Sequence, residues 1–152
     1  MVAEIGAAAP DFTLRNYDRS EITLSDLRGK KTLLVFIPFP FTRTCTAELC
    51  DLRDNLASLE STEANVIAIT CDSMGSNRAW ANAEGVTYPI LSDFWPHGAV
   101  AMEYGCFNDA LGVANRTTYV IDAEGIVCEI IEAESFGTAR EIESYTEALT
   151  SL

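Results

Sequence analysis

A chain of 152 residues and 16.6 kDa fits one domain, residues 1–152, and is long enough to bury about two-thirds of its surface on folding. Hydrophobic residues make up 48% and charged residues 22%, which excludes disorder, collagen and low-complexity architectures. Ten Lys and Arg against 23 Asp and Glu leave a net charge of −13 and a pI near 4.3, a balance that repels nucleic-acid backbones and anionic lipid surfaces alike.

From the N-terminus, weak alternation with the turn formers Asn16 and Asp18 predicts a hairpin of Phe12–Leu14 against Glu21–Leu24. Ser25–Gly29 reads as a capped single turn closed by glycine. The unbroken apolar run Thr32–Ile37 predicts a buried central strand, stopped by Pro38. Ala47, Leu49, Leu52, Leu56 and Leu59 recur at helical spacing and predict one helix over Cys45–Leu59. Asn65–Thr70 gives a second buried strand, Ser76–Ala83 a helix closed by Gly85, Tyr88–Leu91 a short strand, and Gly98–Tyr104 a helix after the loop Ser92–Pro96. Thr117–Ile121 and Gly125–Ile131 form a hairpin through Asp122–Gly125, and Thr138–Leu149 closes the chain as an amphipathic helix. The order βαβα, then ββ, then α is that of an α/β domain with a thioredoxin-like fold, an N-terminal hairpin extension and an inserted middle segment.

The longest apolar run, about ten residues from Thr32 to Phe41, is broken by Pro38 and Pro40 and falls short of the ~18–20 that span a membrane. The N-terminal Met-Val-Ala-Glu-Ile-Gly has neither the basic nor the apolar region of a secretory signal, so the expected location is cytoplasmic.

Cysteines at 45, 50, 71, 106 and 128 are odd in number and irregular in spacing, a poor basis for a disulfide scaffold. Cys71 and Cys128 lie in strand-like apolar runs and read as packing. Cys45 differs. It sits where a buried strand passes through the loop Pro38-Phe39-Pro40-Phe41-Thr42-Arg43-Thr44 into a helix N-terminus, where free N–H groups and the helix dipole favour a thiolate. Basic and acidic residues balance at seven each through Arg53, whereas only Arg78, Arg116 and Arg140 face sixteen acids beyond it.

These residues match a known pattern. Pro38, Thr42 and Cys45 satisfy Pro-x-x-x-Thr-x-x-Cys, and the chain resembles the peroxiredoxins through further blocks: Ala9-Pro10-Asp11-Phe12-Thr13-Leu14, Leu91-Ser92-Asp93-Phe94-Trp95-Pro96-His97-Gly98, Tyr104-Gly105, and Asn115-Arg116 leading into Val120-Ile121-Asp122. The middle block most resembles the alkyl hydroperoxide reductase E branch. The resemblance implies a thiol peroxidase acting on hydrogen peroxide or organic hydroperoxides without metal or organic cofactor. It implies Cys45 as peroxidatic cysteine, Thr42 orienting the peroxide, Pro38 shielding the thiolate and Arg116 completing the pocket. The chemistry asks for such groups, because acidifying a thiol trades thiolate fraction against nucleophilicity and leaves the acceleration to donors aimed at the developing charge. Arg43 flanks the cysteine and reads as solvent-facing.

Attack yields a sulfenic acid that a thiol must resolve. Cys50 gives a Cys-x4-Cys spacing that resembles the peroxiredoxin Q and bacterioferritin comigratory protein branch, so a Cys45–Cys50 disulfide is one route and an external thiol the other. Positions i and i+5 lie about 8–9 Å apart on an ideal helix, so that disulfide requires unwinding. Cys106 is an alternative resolver, and Glu48 either supports the site by hydrogen bonding or is a plain exposed helix residue. The resemblance further implies a homodimer and a thioredoxin-like, glutaredoxin-like or mycoredoxin-type reductant; Phe41 and Phe94-Trp95-Pro96 read as core or dimer contact. The competing readings are a redox switch or chaperone on the same fold, and a Cys–His hydrolase obliged to use His97, the single histidine.

Overall fold

The computed structural model describes residues 2–152. The first turn formers build a hairpin of β1 (Thr13–Asn16) and β2 (Glu21–Thr23), with Thr13 opposite Thr23, followed by a single 3-10 turn at Leu24–Leu27. The apolar run becomes β3 (Lys31–Phe36), and the helix after the proline loop is α1 (Arg43–Asp54). The single helix expected over Cys45–Leu59 breaks at Asn55, whose side-chain amide donates to the Asp51 carbonyl at 2.8 Å while its backbone leaves helical geometry at φ −112° and ψ 11°. A short α2 (Leu56–Glu60) carries the apolar stripe onward, which is why spacing alone does not reveal the break.

Next come β4 (Ala64–Thr70), α3 (Met74–Glu84) and β5 (Ile90–Ser92); the Ser73 hydroxyl caps α3 by accepting from the Ser76 N–H at 3.2 Å. The inserted segment holds α4 (Ala99–Tyr104) and a ribbon of β6 (Phe107–Asn108) and β7 (Val113–Ala114), strands too short to leave a periodic signal. The hairpin β8 (Thr117–Ile121) and β9 (Val127–Glu132) turns at Gly125, whose φ of +86° suits glycine. The last helix, α5 (Ile142–Thr150), starts four residues later than Thr138, because Arg140 is drawn inward by other partners.

The strands form one sheet in the order β2-β1-β5-β4-β3-β8-β9, with β3, β4 and β5 parallel and the remaining pairs antiparallel. This is the thioredoxin-like arrangement with its N-terminal hairpin, as expected. Strand alternation divides the core. Leu33, Val35 and Ile37 face α1, α2, α3 and α5, whereas Leu34 and Phe36 face α4 and the N-terminal segment. No helix among the described residues is long and apolar enough to cross a membrane.

Phe36 closes β3 at the sheet end from which the loop to Cys45 departs, its buried ring set against Tyr104 and Tyr119 at centroid distances of 5.6 and 5.7 Å. Phe36→Ala leaves a cavity there and lowers stability by about 3–5 kcal/mol, read as a reduced urea midpoint with an unchanged denaturant slope.

Candidate active site

The chain leaves β3 through buried Ile37 and Pro38, and the loop Phe39–Thr42 delivers Cys45 to the first turn of α1. Phe41 bends this loop with a φ of +69°, unusual for a bulky residue, and sets its ring 6.2 Å from that of Trp80. Cys45 is wholly buried. Its sulfur accepts from the Phe39 N–H at 3.4 Å and from Arg116 Nη2 at 3.0 Å, in addition to lying at the positive end of α1.

Arg116 enters from the approach to β8 and is held at all three nitrogens: Nη2 donates to Cys45, Nη1 to Glu48 Oε1, and Nε to the Phe136 carbonyl at 2.8 Å. Glu48, one turn after Cys45, is buried rather than the exposed helix residue that was its alternative reading. Its carboxylate also receives three bonds from Arg140: the backbone N–H and Nε at 2.8 Å to Oε2, and Nη2 at 2.9 Å to Oε1. Burial pushes the Glu48 carboxyl up, but the hydrogen bonds and charge of Arg140, with the charge of Arg116, prevail and hold it below the usual range.

Arg140 is the site residue that sequence reasoning missed. Its remaining donors go to the Phe36 carbonyl at 2.8 Å and to Thr118 Oγ1 at 3.0 Å, which in turn pairs with the Tyr145 hydroxyl at 2.9 Å. The cluster therefore buries two guanidiniums against one carboxylate, and a thiolate at Cys45 brings its charge to zero. Only the scarcity of basic residues after Arg53, the feature that marks out Arg116, pointed to Arg140.

Thr42 sits at the cap position of α1, where its hydroxyl donates to the Phe39 carbonyl at 2.7 Å. With that proton engaged, the oxygen is left to accept from an incoming O–H. A cleft of about 370 Å3 is lined by Phe39, Leu111, Phe136, Thr42, Thr44 and Arg116, the residue that donates to the buried Cys45 sulfur. Arg43 is exposed at its rim, as expected.

Cys50 stays on intact α1 as a free, partly buried thiol. Burial pushes it up first; Arg53 opposes, and Glu84, Asp54 and Asp51 push it further. Cys106 is no neighbour of the site: it lies in the core of the opposite sheet face with Cys71, and burial drives both thiols to about 12. Cys128 is half-buried on β9. His97 is exposed and bonded through its ring to the carbonyls of Phe94 at 3.1 Å and Gly112 at 2.7 Å, so it does not serve Cys45 as a base. Phe41, Phe94 and Trp95 are exposed, which removes the core alternative of their reading as core or dimer contact.

The AhpC/TSA family profile matches residues 5–130. Alkyl hydroperoxide reductase E of Mycobacterium tuberculosis is 44% identical over 149 residues, 97% of each chain. Chloroplastic peroxiredoxin Q of Populus jackii is 31% identical over 148 residues, covering 97% of this chain and 68% of its own. Among solved structures, peroxidoxin BcpB of Mycobacterium tuberculosis superposes with a TM-score of 0.87 at 28% identity over 99% of this chain and 98% of its own. AhpC of Enterococcus faecalis gives 0.89 at 26% identity over 99% and 92%.

Glu48→Gln leaves two buried guanidiniums without their counter-charge and costs about 3–5 kcal/mol at neutral pH. Because the folded carboxyl lies below its ordinary value of 4.5, the stabilisation is complete above that value and lost as pH falls through the depressed one. Urea midpoints across an acid series will therefore show the gap between wild type and variant narrowing below about pH 4.5.

Proposed function

The chain belongs to the AhpC/TSA family, as a peroxiredoxin of the alkyl hydroperoxide reductase E and peroxiredoxin Q branch and hence a peroxidase, and from that premise we propose that Cys45 is its peroxidatic cysteine. The observation that carries the reading is the pair of donors on the buried sulfur, the Phe39 N–H and the Arg116 guanidinium. The thiolate attacks one peroxide oxygen and forms an S–O bond with its electron pair. The O–O bond breaks, the leaving oxygen takes the bonding pair and then a proton, and the products are Cys45 sulfenic acid and water or an alcohol.

Arg116 acts on the charge that moves from sulfur to the leaving oxygen, as preorganised electrostatic stabilisation demands. Its ties to Glu48 and the Phe136 carbonyl spare it reorientation during the reaction. Thr42 accepts the peroxide O–H and so aligns the O–O bond, Pro38 screens the sulfur from water, and Glu48 positions Arg116. The apolar side chains Phe39, Leu111 and Phe136 in the cleft lining suit the alkyl part of an organic hydroperoxide, while hydrogen peroxide needs only Thr42 and Arg116.

The sulfenic acid is resolved by Cys50 or by an external thiol, with a thioredoxin-like, glutaredoxin-like or mycoredoxin-type protein as reductant. Exposed Phe41, Phe94 and Trp95 supply apolar surface for a homodimer, and the cytoplasm is the compartment that keeps such thiols reduced.

Stopped-flow peroxide reduction with a recycling reductant tests the assignment. Cys45→Ser abolishes turnover, and Arg116→Met lowers the second-order oxidation rate about 10²–10³-fold with the fold intact by circular dichroism. Turnover that survives Cys45→Ser overturns the reading, and a single slow oxidation without turnover would mark a redox switch instead.

A further inference from the structure

Four residues separate Cys45 from Cys50, and three of them are tied to other elements. Thr46 Oγ1 accepts from the indole N–H of Trp80 on α3 at 3.2 Å. The Leu49 carbonyl accepts from the hydroxyl of Tyr88, just before β5, at 2.7 Å. Glu48 is gripped from the other side by Arg116 and Arg140. Ala47 alone faces solvent.

Trp80 and Tyr88 are themselves buried, and the Tyr17 hydroxyl donates to the Tyr88 carbonyl at 3.0 Å, so both ring donors are fixed to the body of the fold. Neither hydrogen-bonds the sulfur or lines the cleft. A Cys45–Cys50 disulfide needs Cα atoms within about 7 Å, against about 8–9 Å on an ideal helix, so this turn must leave helical geometry to close it. Closure breaks the Trp80 and Tyr88 bonds; attack on peroxide leaves them whole.

We infer that Trp80 and Tyr88 latch the turn between the two cysteines and thereby set how the sulfenic acid is divided between Cys50 and external thiols. The inference rests on the reading of Cys45 as peroxidatic. Closure joins Cys45–SOH and Cys50–SH as a disulfide and releases water. The competing step joins Cys45–SOH to a small-molecule or protein thiol, also with loss of water, and a second such thiol then frees Cys45. With the latch shut, Cys45–SOH persists on folded α1 beside the cleft and external thiols take the larger share. The elevated Cys50 thiol pKa, raised first by burial, slows closure in the same sense. Trp80 and Tyr88 are positioning residues that choose the resolution route.

The test is a rapid-mix experiment with one equivalent of hydrogen peroxide, quenched by alkylation and read by mass spectrometry, with Cys50→Ser as the blank. Trp80→Phe and Tyr88→Phe each keep the ring and lose one donor. Disulfide closure should quicken about fivefold in each, the factor one ordinary hydrogen bond confers, and about 25-fold in the double variant. Oxidation of Cys45 should stay within about twofold of wild type, a split between two steps that general loosening of the fold would not give. Thr46→Val removes the acceptor from the other end of the Trp80 bond and must reproduce Trp80→Phe. Unchanged closure across these variants, including no closure in any, overturns the latch while leaving Cys45 as the peroxidatic residue. Absence of any oxidised Cys45 in wild type overturns the peroxidatic reading and the latch with it.

Discussion

One carboxylate between two guanidiniums governs the geometry of this protein. Glu48 lies one turn beyond Cys45, so whatever fixes its oxygens fixes the face of α1 that carries the sulfur. Arg116 comes from the approach to β8 and Arg140 from the approach to α5, which draws two elements distant in sequence onto the same turn. Arg140 also donates to the Phe36 carbonyl, tying the cluster to the end of β3 from which the cysteine loop departs. Such buried ion groups add little net stability over an apolar core, because desolvation offsets much of the attraction. Their contribution here is positional: Arg116 has its three nitrogens engaged and is left with a single orientation toward the sulfur.

That fixed orientation gives a protein of net charge −13 a cationic group at the Cys45 sulfur. Peroxides are neutral at cellular pH, so the acidic surface exerts no long-range force on their approach, and the local field at Cys45 comes from Arg116, the Phe39 N–H and the α1 N-terminus. The apolar side chains of the cleft, Phe39, Leu111 and Phe136, add no charge of their own. Carbon surface outside and three donors inside match a reaction whose substrate arrives uncharged and whose charge develops only as the O–O bond breaks.

Much of this was legible in the sequence because local rules carry it. Thr32–Ile37 announces a buried strand by composition, Pro38 its end, and Cys45 its place at a helix start. Arg116 is conspicuous as a lone cation ahead of an apolar strand. Arg140 was not, because helical spacing continues upstream of α5 and absorbed it into an amphipathic face. Its real role depends on a carboxylate 92 positions earlier, which no local pattern encodes. The break at Asn55 was hidden by leucines that keep their spacing across it. Cys106 looked like a possible partner of Cys45 in one dimension, yet α1 and the segment after α4 pack against opposite faces of the sheet.

The same separation of local from distant effects bears on how the site handles its own oxidation product. A helix start presents a sulfur well because its geometry is rigid, but rigidity also keeps a second cysteine five residues on out of reach. The first two turns of α1 cannot serve both demands in one conformation. The donors to the sulfur, Arg116 and the Phe39 N–H, act at or beside it. Those from Trp80 and Tyr88 act on the turn behind it, from a different helix and a different strand approach. Because the two sets share no atoms, loosening the proposed latch at Trp80 and Tyr88 leaves the donors on the Cys45 sulfur in place.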